Sequence, residues 1–238
     1  MNIAVFAKAP EPGIAKTRLI PALGALGAAR LHRRLTRRAV LTAQQAHLGS
    51  VTVWCAPSPR HRFFRALQNA GGVDCRAQLA GDLGQRMLHA FRSQCGAGPL
   101  LLIGTDCPAL RPQDLRVAAQ ALRDGDEAVF LPAEDGGYVL IGSRRPLPSL
   151  FEGIAWGTGS VMAETRGRLR AAGITWREPT TLWDVDRPED LLRLAALWRD
   201  EQLQSAQPLP SGAAQLGARA AGNLVEPRRV DLPILSAR

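Results

Sequence analysis

The residues able to do chemistry fall into short clusters, and the first cluster is a loop. Lys8-Ala9-Pro10-Glu11-Pro12-Gly13-Ile14-Ala15-Lys16-Thr17-Arg18 directly follows an apolar run and holds both lysines of the chain. Gly13 permits close backbone approach, the prolines stiffen the segment, and Lys8, Lys16 and Arg18 supply positive charge. A phosphate chain needs those features together. The loop is not a Walker A motif, because Gly13-Ile14-Ala15-Lys16 lacks the Gly-Lys-Ser/Thr ending. A solvated basic loop is the alternative.

Two acidic clusters follow. In Gly104-Thr105-Asp106-Cys107-Pro108, the aspartate comes just beyond the apolar run Leu100–Ile103. A carboxylate at the end of a buried strand points into the crevice where open α/β sheets bind ligands. Its oxygens are hard ligands suited to Mg²⁺ or Mn²⁺, although a turn aspartate before Pro108 fits as well. In Trp183-Asp184-Val185-Asp186-Arg187-Pro188-Glu189, alternation sets both carboxylates on one face of an extended segment. Such a pair repels itself without a cation, and with Asp106 it makes three acidic ligands. Asp186 could instead cap the helix that follows.

Other stretches read as substrate contacts. Gly81-Asp82-Leu83-Gly84-Gln85-Arg86 opens a helix whose amides and Arg86 could meet an anion. Asp135-Gly136-Gly137-Tyr138 is a hairpin turn by composition and contains the only tyrosine. Asp135 is the candidate for orienting an acceptor or serving as a base. Trp156-Gly157-Thr158-Gly159 suits the acceptor side, or equally a helix-start turn with a buried Trp. His32, His47, His61 and His89 lie in or beside Arg-rich stretches, outside any Gly-x-Ser-x-Gly or HExxH context, which disfavours a triad hydrolase or a zinc protease. Cys55, Cys75, Cys95 and Cys107 form no CxxC pair and read as small buried side chains.

These residues must be positioned by alternating strands and helices. Apolar runs mark strands at Ile3–Ala7, Val51–Ala56, Asp74–Leu79, Leu100–Gly104, Glu127–Leu131 and Tyr138–Gly142. Helices are expected at Leu26–Leu48, Pro59–Ala70, Gly84–Cys95, Pro112–Arg123, Ser160–Ala172 and Arg187–Gln204. That alternation predicts βαβ units around a mostly parallel sheet. Gly24–Ala29 only faintly resembles a dinucleotide fingerprint and reads as a helix start.

The chain has 238 residues, 46% of them hydrophobic and 21% charged, which suits a globular protein and excludes a disordered chain or a fibre. The net charge of +9 suits an anionic partner, yet scarce aromatics (one Tyr, six Phe, five Trp) and no RNA-binding signature argue against nucleic acid. No apolar run is long enough to span a membrane, and no signal peptide is seen, so a cytoplasmic protein is expected. The expected organisation is one domain over residues 1–204, followed by a Pro/Gly/Ala-rich, poorly ordered tail over 205–238.

Four motifs in order complete the reading. They are Phe6-Ala7-Lys8-Ala9-Pro10-x-Pro12-Gly13-x-x-Lys16-Thr17-Arg18-Leu19, Gly104-Thr105-Asp106-Cys107-Pro108, Asp135-Gly136-Gly137-Tyr138, and Asp184-Val185-Asp186-x-Pro188-Glu189-Asp190-Leu191. Over residues 1–200 the chain resembles a family of bacterial glycosyltransferases linked to radical-SAM and arsenosugar gene clusters, within the nucleotide-diphospho-sugar transferase (GT-A) superfamily. Its basic loop is also similar to that of phospholactate and molybdenum-cofactor guanylyltransferases. The resemblance implies a GT-A, Rossmann-like three-layer sandwich, a divalent Mg²⁺ or Mn²⁺, and a nucleotide or nucleotide-sugar donor with a small-molecule acceptor. It implies metal ligation by Asp106, Asp184 and Asp186, and catalytic roles for Lys16, Asp106 and Asp135. Nucleotide and phosphate contacts fall to Lys8, Pro12, Gly13, Lys16, Thr17, Arg18, Gly81, Asp82 and Arg86. Acceptor contacts fall to Gly136, Gly137, Tyr138 and Trp156. Glycosyl transfer is the leading expectation, nucleotidyl transfer the second, and non-catalytic nucleotide binding the third.

Overall fold

The computed structural model describes residues 1–206. The strands are β1 (Asn2–Lys8), β2 (Val51–Ala56), β3 (Asp74–Ala77), β4 (Leu100–Ile103), β5 (Ala128–Pro132), β6 (Tyr138–Ser143) and β7 (Trp176–Arg177). The helices are α1 (Ile20–Gln45), α2 (Arg62–Asn69), α3 (Leu83–Gln94), α4 (Pro112–Arg123), α5 (Val161–Ala171) and α6 (Asp190–Ala206). The strands form one sheet in the order β3-β2-β1-β4-β6-β5-β7. Only β6 runs against its neighbours, being antiparallel to both β4 and β5. The mostly parallel α/β sandwich expected from the element pattern is therefore the fold observed.

The sheet is covered on both faces because its strand residues are apolar on both. Ile3, Val5 and Ala7 point into a core shared with Ala39 and Val40 of α1, Phe63 and Phe64 of α2, and Leu115 and Leu122 of α4. Ala4 faces the opposite way, into a core with Phe91 of α3 and Met162 and Leu169 of α5. The period-two alternation of β1 thus sorts its side chains between two helical layers. A third, smaller cluster joins Leu19 and Leu35 to Trp183, Val185 and Leu194, packing α6 against α1. Arg38 reinforces that contact with paired bonds to Glu201 at 2.8 and 2.5 Å, and the Arg34 guanidinium lies 3.5 Å above the Trp198 ring.

Several element boundaries differ from the sequence expectation. Helix α1 includes residues from Ile20, with a non-helical break at Gly24 (φ 67°), so the regular helix begins where the apolar periodicity does. Helix α6 starts at Asp190 rather than Arg187, because the Asp190 carboxylate accepts the amides of Asp186 and Arg187 at 2.9 and 2.7 Å. That bonding holds the preceding residues in a turn. Strand β7 has only two residues, too few for alternation to register. Cys55 is buried, whereas Cys75, Cys95 and Cys107 are only partly so, and all four are free thiols. Ser205 and Ala206 belong to the last helix, and the rest of the tail expected over 205–238 lies outside the described residues. Among the described residues, no helix is long and apolar enough to cross a membrane.

Candidate functional site

The sheet topology brings the ends of β1, β4 and β5 and the start of β6 to one edge, and the chemistry-bearing loops leave from there. After β1 the chain turns through Gly13 (φ 81°) to Lys16, whose φ of 52° and ψ of 46° are left-handed. For a residue with a Cβ this conformation stores strain of roughly 1 kcal/mol or more. The strain aims the Lys16 side chain inward, where it is 5% exposed. Its ammonium donates to the Val185 carbonyl at 2.5 Å and Asp186 Oδ1 at 2.8 Å, and lies 2.8 Å from Asp106 Oδ1. Burial opposes the charge, but Asp106 and Asp186 outweigh it, and the Lys16 pKa is raised.

The segment carrying Asp184 and Asp186 is laid into the site by backbone bonds. Leu182 N–H donates to the Pro132 carbonyl and the Leu182 carbonyl accepts from Glu134 N–H, both at 2.9 Å. Val185 N–H then donates to the Asp106 carbonyl at 2.9 Å. These clips place Asp184 and Asp186 beside the β5–β6 turn, so that carboxylate oxygens of Asp135, Asp184 and Asp186 lie within 4.8 Å of one another. Asp135 is itself oriented by the Gly137 amide, 2.9 Å from its Oδ1. Burial, followed by repulsion from Asp135, Asp186 and Asp106, pushes the Asp184 carboxyl up to about 7, with Lys16 opposing. Three clustered hard oxygen donors, one of them resisting ionisation, fit a divalent cation such as Mg²⁺ or Mn²⁺. Asp106, grouped with Asp184 and Asp186 from sequence, faces Lys16, while Asp135 stands in the trio.

Two cavities meet at these acids. The larger, about 460 Å³, is lined by Lys8, Lys16, Thr17, Arg18, Gln78, Arg86, Thr105 and Asp106, among others. The smaller, about 340 Å³, is lined by Arg18, Glu134, Gly157, Thr158, Asp184, Arg187 and Arg193, among others. Arg18, Asp135, Gly157 and Asp186 belong to both. One side of the acidic centre therefore carries the basic loop, and the other carries a separate hollow.

The remaining sequence candidates divide. Arg86 lines the larger cavity, anchored through Nε to the Gly81 carbonyl at 2.8 Å. Asp82 caps α3 instead: its Oδ1 accepts from the Gln85 N–H at 2.8 Å, and Gln85 Oε1 accepts from the Asp82 N–H at 3.1 Å. Its side chain is thereby spent on the helix. Gly136 (φ 90°) is held against the Gly159 carbonyl, which a Cβ there would strike, and this seats the Trp156–Ser160 loop on the turn. Tyr138 and Trp156 pack edge to face with centroids 6.3 Å apart, against the second core. The Tyr138 hydroxyl and Trp156 Nε1 are buried away from both cavity linings and have no hydrogen-bond partner among the described residues. Pro12 contributes stiffness to the loop and does not line either cavity. Burial lifts the Cys107 thiol to about 12, which suits a packing role.

One residue escaped sequence reasoning. His32 on α1 is buried at the floor of the larger cavity, with Nε2 3.0 Å from the Lys8 carbonyl and Nδ1 3.9 Å from Asp106 Oδ1. Because a carbonyl only accepts, Nε2 carries the hydrogen, and Nδ1 faces Asp106 with no hydrogen-bond partner among the described residues. Burial lowers its pKa, with Asp106 opposing. Its only sequence signal is a lone histidine on the buried face of an Arg-rich helix.

A protein-family model described as "Uncharacterized protein conserved in bacteria (DUF2064)" matches residues 39–158, about half of the chain. The chain belongs to the DUF2064 family. This DUF2064 member is 31% identical over 202 residues to the phosphoenolpyruvate guanylyltransferase of Rubrobacter xylanophilus, covering 82% of this chain and 95% of that one. It is 29% identical over 149 residues to the 3-phospho-D-glycerate guanylyltransferase of Phenylobacterium zucineum, covering 60% and 66% respectively. Its fold matches a Desulfovibrio desulfuricans G20 protein proposed to be a nucleotide-diphospho-sugar transferase, with TM-score 0.73, 28% identity, and coverage of 85% and 95%. These likenesses support a transferase of nucleotidyltransferase type. They bear out the superfamily and the guanylyltransferase kinship, and they give the leading glycosyl-transfer expectation no specific support.

Proposed function

We propose that this DUF2064 protein is a metal-dependent nucleotidyltransferase that joins a nucleoside monophosphate to a phosphorylated small molecule. The observation that carries the reading is an acidic trio set between two cavities, one of them lined by the cationic loop, a layout suited to two phosphate-bearing ligands. The guanylyltransferase relatives make guanosine triphosphate the first donor to test, and phosphorylated carboxylic acids the first acceptors. Glycosyl transfer becomes the second reading, because the Desulfovibrio protein of similar fold carries a nucleotide-diphospho-sugar transferase description.

In this reaction a phosphate oxygen of the acceptor forms a bond to the α-phosphorus of the triphosphate. The bond from that phosphorus to the bridging oxygen breaks, and pyrophosphate leaves with the electron pair. The acceptor oxygen is already anionic, so no base is required of Asp135. In this proposal Lys8, Lys16, Arg18 and Arg86 bind triphosphate oxygens in the larger cavity and offset charge building on the leaving group. Asp135, Asp184 and Asp186 would hold the cation. When bound, the cation would neutralise phosphate charge between donor and acceptor. Gly136 and the 157–160 loop shape the hollow for the acceptor, and the remaining catalysis is alignment of the two reactants.

The deciding experiment pairs each nucleoside triphosphate with phosphoenolpyruvate or 3-phosphoglycerate and Mg²⁺ or Mn²⁺, and measures pyrophosphate release. Release that requires a phosphorylated acid is the expected result. Nucleoside diphosphate release from a nucleotide-sugar, with no pyrophosphate from any triphosphate, would overturn it in favour of glycosyl transfer.

A further inference from the structure

Three observations converge on Lys16. Its buried ammonium donates to Val185 and Asp186 and lies 2.8 Å from Asp106 Oδ1. Its backbone is left-handed although it has a Cβ. Asp186, one of its partners, also belongs to the acidic trio with Asp135 and Asp184. A cation seated in that trio and the Lys16 ammonium therefore draw on the same carboxylate.

We infer that Lys16 acts as the resident counter-ion of the acidic centre, releasing Asp186 when a divalent cation enters and turning its ammonium toward the phosphates. Breaking a buried ion pair without replacement strands an uncompensated carboxylate, so Lys16 stays with Asp186 until a second positive charge arrives. A divalent ion beside the ammonium then repels it. Coupling of this kind is reciprocal: whatever frees Lys16 for phosphate is itself favoured by phosphate that receives it. Cation and triphosphate are consequently bound together more tightly than either alone. The identity of the triphosphate rests on the nucleotidyl-transfer reading, whereas the exchange at Asp186 does not.

The chain suits a direct test, because its lysines are Lys8, which is exposed, and Lys16, which is buried. Amine-directed labelling of the full chain, read by mass spectrometry, is carried out with and without saturating Mn²⁺. Lys16 is expected to be protected in the metal-free protein and to approach the labelling of Lys8 once Mn²⁺ is bound, with Lys8 unchanged. Lys16 labelling that is the same in both states overturns the inference. Titration of Mn²⁺ alone, followed by electron paramagnetic resonance, gives the second arm. Lys16→Met should bind Mn²⁺ about tenfold more tightly than the wild type, while Lys16→Arg stays near it. A folded Lys16→Met protein with no gain in Mn²⁺ affinity also overturns the inference, and if that variant does not fold, the labelling decides. Neither arm uses the transfer reaction. Uncovering of Lys16 by Mn²⁺ in a protein that releases no pyrophosphate would uphold the counter-ion role and defeat the nucleotidyl-transfer reading alone.

Discussion

The Asp190 carboxylate accepts the backbone amides of Asp186 and Arg187 at 2.9 and 2.7 Å, so the first residue of α6 orients the acidic segment before it. One side chain thus couples a helix start to the candidate metal ligands. Loss of such a cap typically costs about 1 kcal/mol. For a chain of this length that corresponds to roughly 2–4 °C in Tm. Asp190→Ala is therefore expected to lower Tm by that amount and to weaken Mn²⁺ binding. Unchanged Mn²⁺ affinity in the variant would show that the trio is held without Asp190.

Asp184 should make the metal-free protein less stable as pH rises. Its folded-state pKa is raised from 3.8 to about 7, so its ionisation is disfavoured in the native state. Its contribution is complete below the unfolded value and is lost as pH climbs through about 7. Tm measured from pH 4 to 8 should carry that downward component, which Asp184→Asn removes. Mn²⁺ should raise Tm most above pH 7, where Asp184 is ionised. A wild type and an Asp184→Asn variant with parallel pH profiles would refute the assignment.

Arg18 is 66% exposed and lies 3.8 Å from Asp186 Oδ2, so it adds little to the resting fold. It borders both cavities. A charged hydrogen bond to phosphate is worth about 1.5–3 kcal/mol, or roughly 10- to 100-fold in affinity. Arg18→Ala should raise KM by that factor for the triphosphate or the acceptor while leaving Tm unchanged. Steady-state kinetics with each substrate varied in turn shows which of the two it serves.

Gly136 combines a φ of 90° with close approach to the Gly159 carbonyl. An added methyl strains the backbone and pushes the 157–160 loop away from the turn that holds Asp135. Misplacement of a reacting group by about 1 Å can cost roughly a hundredfold in rate. Gly136→Ala should lose activity on that scale with only a modest fall in Tm. A variant of near wild-type activity would remove the loop from the acceptor site.

The alternating pattern of strands and helices was legible in the sequence because each element carries its own signal. Leu100–Ile103 is uniformly apolar and becomes a strand buried on both faces; Pro112–Arg123 opens with proline and becomes α4. The basic loop and the Asp184-Val185-Asp186 alternation were equally local, and they mark residues that line the cavities. Partnerships across the chain were not legible. Lys16 and Asp186 are 170 positions apart, and no spacing rule relates them. Their contact follows from β1 and β4 being sheet neighbours and from the backbone bonds that tie residues 182–185 to β5 and Asp106. The same bonds put Asp135 among the trio, and the packing of α1 beneath the loop turned His32 toward Asp106. Residue type and local period set which groups could act. Which of them meet was decided by sheet order and long-range hydrogen bonds, because ion pairing depends on distance in space and not along the chain.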